Sequence, residues 1–266
     1  MGACVDVQRE GAVATVVMHR EKNNAIAEDL LTELREAFET LGAEPEVRAI
    51  VLASGFDRYF SVGADLGAMA GIDRTGPDAE EQVLAMVRRD REGYDAVASC
   101  RKPVVAALNG HALGGGCELA LCCDYRIMVE DDRSRIGQPE VGLGIIPGAG
   151  GTQRLVRLIG RARALPMLLE GIRLGAREAA TVGLVDRAVP PEELDATVRE
   201  LAGRLAAGPT VALGMIKDAV DRGQDLRLDE ALEIESRNFV RAALSDDAAI
   251  GVMSFLAKQA PEFTGR

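Results

Sequence analysis

The chain has 266 residues, 47% of them hydrophobic and 27% charged, which is enough apolar material for a sizeable globular core. Its net charge of −11 argues against nucleic acid or an anionic membrane as partner, because both select a basic face. No stretch approaches the roughly 18 consecutive apolar residues of a membrane span. Residues 1–10 lack a signal-peptide pattern, so a soluble, cytoplasmic protein is expected. Cys4, Cys100, Cys117, Cys122 and Cys123 are odd in number and without CxxC or CxxH spacing. That pattern predicts buried free thiols, with neither a disulfide framework nor a metal site.

Residues 5–9 and Val13–Met18 alternate apolar and polar positions about Glu10-Gly11, the pattern of a hairpin. After a polar loop at 19–25, residues 28–41 place Leu30, Leu31, Leu34, Phe38 and Leu41 at helical spacing up to Gly42. Residues 47–53 read as a short buried strand. The segment 60–66 reads as a loop leading into a helix. Beyond it, 66–102 carries Gly71, Gly76 and Pro77 and reads as a lid over part of a pocket, then a helix to about Ala98.

The chain is organised around residues 103–118. Val104–Leu108 is an apolar, β-branched run between Pro103 and Asn109-Gly110, as expected of a strand buried on both faces and closed by a turn. Gly114, Gly115 and Gly116 then lead into residues 117–122, which have helix-forming composition. A strand, a glycine-rich loop and a helix start bring backbone N–H groups to a ligand. The helix N-terminus there suits an anion or a polarised carbonyl oxygen. Glu118 falls in the first turn, where its carboxylate reaches the same ligand. The same residues also suit plain close packing, with Glu118 as a stabilising helix-start charge.

Brief strands follow at 124–129 and 135–136, then a turn at 137–140. The glycine-dense stretch 141–151 feeds a helix to about Ile159, but Gln153 replaces the third glycine of a dinucleotide fingerprint. No P-loop lysine or Gly-x-Ser-x-Gly elbow is present. Helices at Arg161–Glu170 and Ala176–Val182 precede a last strand at 184–189. Helices then fill 191–207, 209–222, Leu228–Ala243 and 246–259. Strands alternate with helices only to about residue 190, so an α/β core at 1–195 and a helical region at 196–266 are expected.

Taken together, these residues resemble the enoyl-CoA hydratase/isomerase (crotonase) superfamily over nearly the whole chain. The most specific stretches are 60–66, 103–124 and 137–155. The resemblance implies an α/β spiral of ββα units with two roughly perpendicular sheets, and C-terminal helices that make a homotrimer or homohexamer. It implies an acyl-CoA thioester as substrate and no permanently bound cofactor. Ala64 and Gly115 match the two backbone donors of the family's oxyanion hole, and Glu118 and Glu140 match its catalytic glutamates. Gln138 and Gly148 match supporting residues, Gly148 through its backbone. Substrate or CoA contacts are implied at Asp65, Leu66, Phe255 and Lys258, the last two often serving a neighbouring subunit. Two departures stand out: Glu21 follows Arg20 where the family usually has proline, and the 66–102 insert is longer than usual.

Two glutamates beside an oxyanion hole fit hydration of a 2-enoyl-CoA to the 3-hydroxyacyl-CoA, one carboxylate accepting a proton and one carboxylic acid delivering one. A Δ3-Δ2-enoyl-CoA isomerase is the alternative, needing a single base and generally lacking the glutamate matched by Glu118. A non-catalytic RNA-binding relative would need a basic stripe, which runs such as Arg88-Arg89-Asp90-Arg91-Glu92 do not form. His111 is read as a packing or hydrogen-bonding residue and Cys117 as a buried thiol. Asp65 and Asp124 are read as braces of local backbone.

Overall fold

The alternating N-terminal runs form a hairpin, β1 (Val5–Glu10) antiparallel to β2 (Val13–Met18) with Val5 opposite Met18. The structure, a computed structural model, describes residues 2–71 and 75–266. Helix α1 (Glu28–Ala43) buries Leu30, Leu31, Leu34, Phe38 and Leu41 and returns the chain to β3 (Ala49–Ser54), parallel to β2. From there the backbone alternates between two sheets. Strands β5 (Val104–Leu108), β7 (Tyr125–Val129) and β10 (Arg187–Val189) extend a six-stranded sheet of order β1-β2-β3-β5-β7-β10. Strands β4 (Tyr59–Ser61), β6 (His111–Leu113) and β8 (Ile136–Gly137) run parallel in a second sheet, which antiparallel β9 (Arg173–Leu174) closes.

Each turn of this spiral gives one strand to each sheet and then a helix. Helices α2 (Leu66–Ala70) and α3 (Ala79–Ala98) follow β4, and α4 (Gly115–Leu121) follows β6. Helices α5 (Gly151–Ile159) and α6 (Arg161–Glu170) follow β8, and α7 (Ala176–Val182) follows β9.

All five residues of β5 are buried because the six-stranded sheet is covered on both faces. Leu52, Val104 and Met128 belong to the main core with residues of α1, α3 and α4. On the other face Val51, Val105, Ile127 and Val129 pack under Leu194, Val198, Leu201 and Ala202 of α8 (Leu194–Ala206). A division at 195 therefore cuts the first turn of a helix that belongs to the sheet packing. Helices α9 (Thr210–Gly223), α10 (Leu228–Ala243) and α11 (Asp246–Ala257) complete the chain.

Several expected boundaries move for local reasons. In the expected strand 184–189, the N–H groups of Leu184 and Val185 both turn back to Ala179 O (2.8 and 3.3 Å) to close α7, so the ladder begins at Arg187. The last helix stops at Ala257 because Lys258 takes a left-handed backbone (φ 56°). Helix α1 runs through Gly42 to Ala43. His111 lies in β6, and Glu140, expected to end a turn at 137–140, opens a 3₁₀ helix, Glu140–Leu143. The part of the expected lid at 72–74 lies outside the described residues. All five cysteines are buried with free thiols. Among the described residues no helix is long and apolar enough to cross a membrane.

One buried amide ties the hairpin to the second sheet. Asn24, at φ 51°, donates through Nδ2 to Met18 O (3.2 Å), Ser54 Oγ (2.9 Å) and Phe60 O (3.0 Å), and its Oδ1 accepts from Arg20 N (2.8 Å). Asn tolerates that backbone region better than most residues. Asn24→Ala strands three acceptors and strains the turn, so it is expected to cost about 3 kcal/mol. Chemical denaturation measures this, and a loss below about 1 kcal/mol would contradict the role given to Asn24.

Candidate active site

Three parallel neighbours of the second sheet, β4, β6 and β8, end side by side. Their C-terminal ends deliver Ala64, Gly115 and the pair Gln138 and Glu140 to one place. Parallel α/β sheets commonly bind ligands at that end, where loops diverge and helices begin. The approach here is unusually close. A Cβ on Gly63 (φ 98°) would lie 2.8 Å from Leu113 O and 3.4 Å from Gly115 N, and one on Gly116 would lie 2.6 Å from Ser61 O. Any side chain at Gly116 would push β4 and α4 apart.

The backbone donors at this point are free. Ile26 N–H donates to Gly63 O and Asp65 N–H to Ile26 O, so the bridge around Ala64 is made by its neighbours. Gly115 opens α4, where a helix has no acceptor for its first amides. Among the described residues neither the Ala64 nor the Gly115 N–H has a protein acceptor.

Beside these donors stand the two carboxyls. Glu118 is 4% exposed, and its Oε1 accepts from Ala149 N and Gly151 N, both at 2.7 Å. Gly151 is the first residue of α5, so the positive end of that helix faces the carboxylate. Arg154 adds positive charge while donating to Ala149 O (2.7 Å) and pairing with Asp95 (3.0 Å). Burial still raises the Glu118 pKa above its ordinary value, and the two amides and Arg154 oppose the rise. With Oε1 saturated, Oε2 is the oxygen left for other chemistry.

Glu140 is 9% exposed and has no such anchor. Burial pushes its pKa from an ordinary 4.5 up to about 7, and the nearby Glu118 charge adds to the rise. Gln138 is its polar neighbour. With the amide turned so that nitrogen faces acceptors, Gln138 Nε2 donates to Glu140 Oε1 (3.0 Å) and Gly114 O (3.2 Å). Gly114 (φ 53°) is held tight against the same carboxyl, since a Cβ there would lie 2.9 Å from Glu140 Oε1. The arrangement separates one anchored carboxylate from one carboxyl poised to hold a proton near neutral pH.

The remaining expected residues divide. Gly148 precedes Ala149 in the chain and is exposed; the amides that hold Glu118 are those of Ala149 and Gly151. Asp65 is a brace: Oδ1 accepts from Gly67 N (2.9 Å) and Oδ2 pairs with Arg20 (3.3 Å), fixing the backbone next to Ala64. Leu66 starts α2 with its side chain exposed. Phe255, 83% exposed, and Lys258 stand at the exposed end of α11, apart from the buried cluster. His111 stacks on Tyr59 and accepts from Arg135 N through Nδ1 (3.2 Å), a packing role. Asp124 accepts from Val104 N (2.7 Å) and Lys217 Nζ (2.6 Å), which is bracing. Sequence reasoning missed Ala149, Gly151, Arg154 and Tyr94, whose hydroxyl reaches Gly115. A groove of about 840 Å³ among α3, α4, α5 and α9 is lined by neither glutamate.

The fold is a spiral of strands and helices with two amides lacking protein acceptors and two buried carboxyls at its strand ends, and the comparisons specify the family. The enoyl-CoA hydratase/isomerase family matches residues 8–266, and the chain belongs to that family. It is 38% identical to a probable enoyl-CoA hydratase of Rhizobium meliloti, over 98% of this chain and 97% of that protein. It is 35% identical to a crotonyl-CoA hydratase of Syntrophomonas wolfei, with the same coverage of each. The crystal structure of an enoyl-CoA hydratase from Bacillus anthracis superposes with TM-score 0.90 at 34% identity, covering 98% of this chain and 99% of that one.

Glu140 offers a direct test of the electrostatics. Its folded pKa lies above the unfolded value, so the folded state binds that proton more tightly. Its contribution to stability therefore falls as pH rises from about 4.5 through about 7, by up to roughly 3 kcal/mol. Infrared titration of isotope-labelled glutamate should show a carboxyl band with a midpoint near 7 that is absent in Glu140→Gln. A Glu140 midpoint near 4.5 would contradict the assignment.

Proposed function

We propose that this chain is an enoyl-CoA hydratase, adding water across the C2–C3 double bond of a 2-enoyl-CoA thioester to give the 3-hydroxyacyl-CoA. The observation that carries this reading is the pair of buried carboxyls with unlike environments beside two unpaired amides. The full-length relatives named enoyl-CoA and crotonyl-CoA hydratases support it.

The thioester oxygen accepts hydrogen bonds from the N–H groups of Ala64 and Gly115, which strengthen as it gains enolate charge. Glu118 Oε2 takes a proton from a water whose oxygen bonds to C3. The π electrons move into the C1–C2 bond and onto the acyl oxygen. Protonated Glu140 delivers its proton to C2, and the enolate returns to a thioester. Glu118 ends protonated and Glu140 ionised, and one proton moved between them restores the start. A concerted passage uses the same groups. The isomerase alternative needs one base and leaves the anchoring of Glu118 by two amides without a task.

The proposal extends to assembly. The region of helices α9 to α11 exposes the large apolar side chains of Ile216, Leu228, Phe239, Leu244, Met253 and Phe255, which a subunit contact would cover. A homotrimer or homohexamer built through residues 196–266 covers them and brings Phe255 and Lys258 to a neighbour's CoA. Asp65 and Leu66 border the acyl end. Five free, buried thiols fit a reducing, cytoplasmic setting.

Loss of the conjugated-thioester absorbance of crotonyl-CoA measures hydration. Glu118→Gln and Glu140→Gln are each expected to lower kcat by about 10²–10⁴-fold with the fold intact. Wild-type protein inert toward crotonyl-CoA and longer enoyl-CoAs would overturn the assignment. Sedimentation equilibrium should give about three or six times 28.2 kDa. A monomer at micromolar concentration would overturn the assembly.

A further inference from the structure

One polar group at the site, the Tyr94 hydroxyl, takes no part in holding either glutamate. Tyr94 lies near the end of α3 and is 3% exposed, with its ring in the main core. Its hydroxyl reaches the start of α4: a Cβ placed on Gly115 would lie 2.7 Å from Tyr94 Oη and 3.6 Å from Ala64 N. The phenol oxygen and the Ala64 amide are thus separated by no more than about the span of two hydrogen bonds, with Gly115 between them. Ile26 Cγ1, at 3.3 Å from the same point, closes the apolar side.

Among the described residues this hydroxyl has no protein hydrogen-bond partner, and its oxygen is not one of the fully buried unpaired atoms, so it remains accessible to a ligand at the site. The ring packs in the core while the accessible oxygen forms a polar tip at the site. The oxygen stands next to two other donors that also lack protein acceptors. Burial, with the charges of Glu118 and Glu140 after it, holds the phenol pKa well above its ordinary value. The group stays protonated and serves as a donor.

We propose that the Tyr94 hydroxyl is a third hydrogen-bond donor to the substrate, acting on the acyl oxygen beside the N–H groups of Ala64 and Gly115. This rests on the reading of the site as one that binds a conjugated acyl thioester. Two backbone amides come from the ends of β4 and the start of α4, and the third donor comes from the insert between them. The segment 66–102 thereby contributes to polarisation of the substrate as well as to the pocket wall.

Tyr94→Phe in the full-length protein tests this, with 2,4-hexadienoyl-CoA as the probe. Its absorbance moves to longer wavelength when the acyl oxygen is polarised, a signal that packing alone does not produce. The variant is expected to bind the probe with a dissociation constant within a few-fold of wild type, but with a clearly smaller red shift. On crotonyl-CoA, kcat should fall about 100-fold while KM changes little, the pattern of a lost transition-state donor. Matched melting temperatures establish that the fold is retained. An unchanged red shift and unchanged kcat in the folded variant overturn the role of Tyr94 and leave the hydratase reading standing. Wild-type protein that neither polarises the probe nor hydrates crotonyl-CoA overturns both.

Discussion

The site depends on how closely three parallel strand ends approach one another. Ser61 O, Leu113 O and the amide of Gly115 crowd into a space where the backbone of one turn of the spiral fills the place of a side chain in the next. Gly63 and Gly116 make this possible, the first by its left-handed backbone and the second by presenting no Cβ to Ser61. Separating these strands by one methyl group would move the Ala64 and Gly115 amides apart, and with them any acceptor position the two share. Preorganised donors lose their advantage steeply with such displacement.

That constraint also fixes the electrostatics. Because α4 begins where β6 ends, Glu118 is carried on the first turn of a helix whose own start is the donor site. The next turn of the spiral then aims the N-terminus of α5 at Glu118. Glu140 arrives from the other side at the start of the 3₁₀ helix that follows β8, with Gln138 as neighbour and no amide pair to hold its charge. Two identical side chains in one buried pocket are thus given unlike proton affinities by the elements that deliver them.

The same architecture explains why the C-terminal helices are built differently from the core. Helix α8 is needed to cover the second face of the six-stranded sheet and is amphipathic toward it. Helices α9 to α11 cover no sheet. They are tied on by polar contacts, such as Arg48 reaching Gly208 O, Thr210 Oγ1 and Phe263 O, and keep large apolar side chains outward.

Elements with enough turns to display a period were legible in the sequence. Helices α6, α7 and α10 begin and end where their apolar spacing and flanking residues put them, and β2 and β5 do likewise. Strands β4, β6 and β9 have two or three residues each, too few to show a period of two, and of this sheet only β8 was read, at 135–136, so the second sheet had to come from the family resemblance. Glu118 was visible from its glycine-loop setting, while Ala64 and Glu140 required the resemblance. Ala149 and Gly151 act through amides that every residue possesses, and Tyr94 sits on a helix face that reads simply as core. Sequence determined which segments are buried, because burial follows residue type and spacing. Only the tertiary structure decided which amides are left unpaired and which carboxyl is anchored, because those depend on distances between segments far apart in the chain.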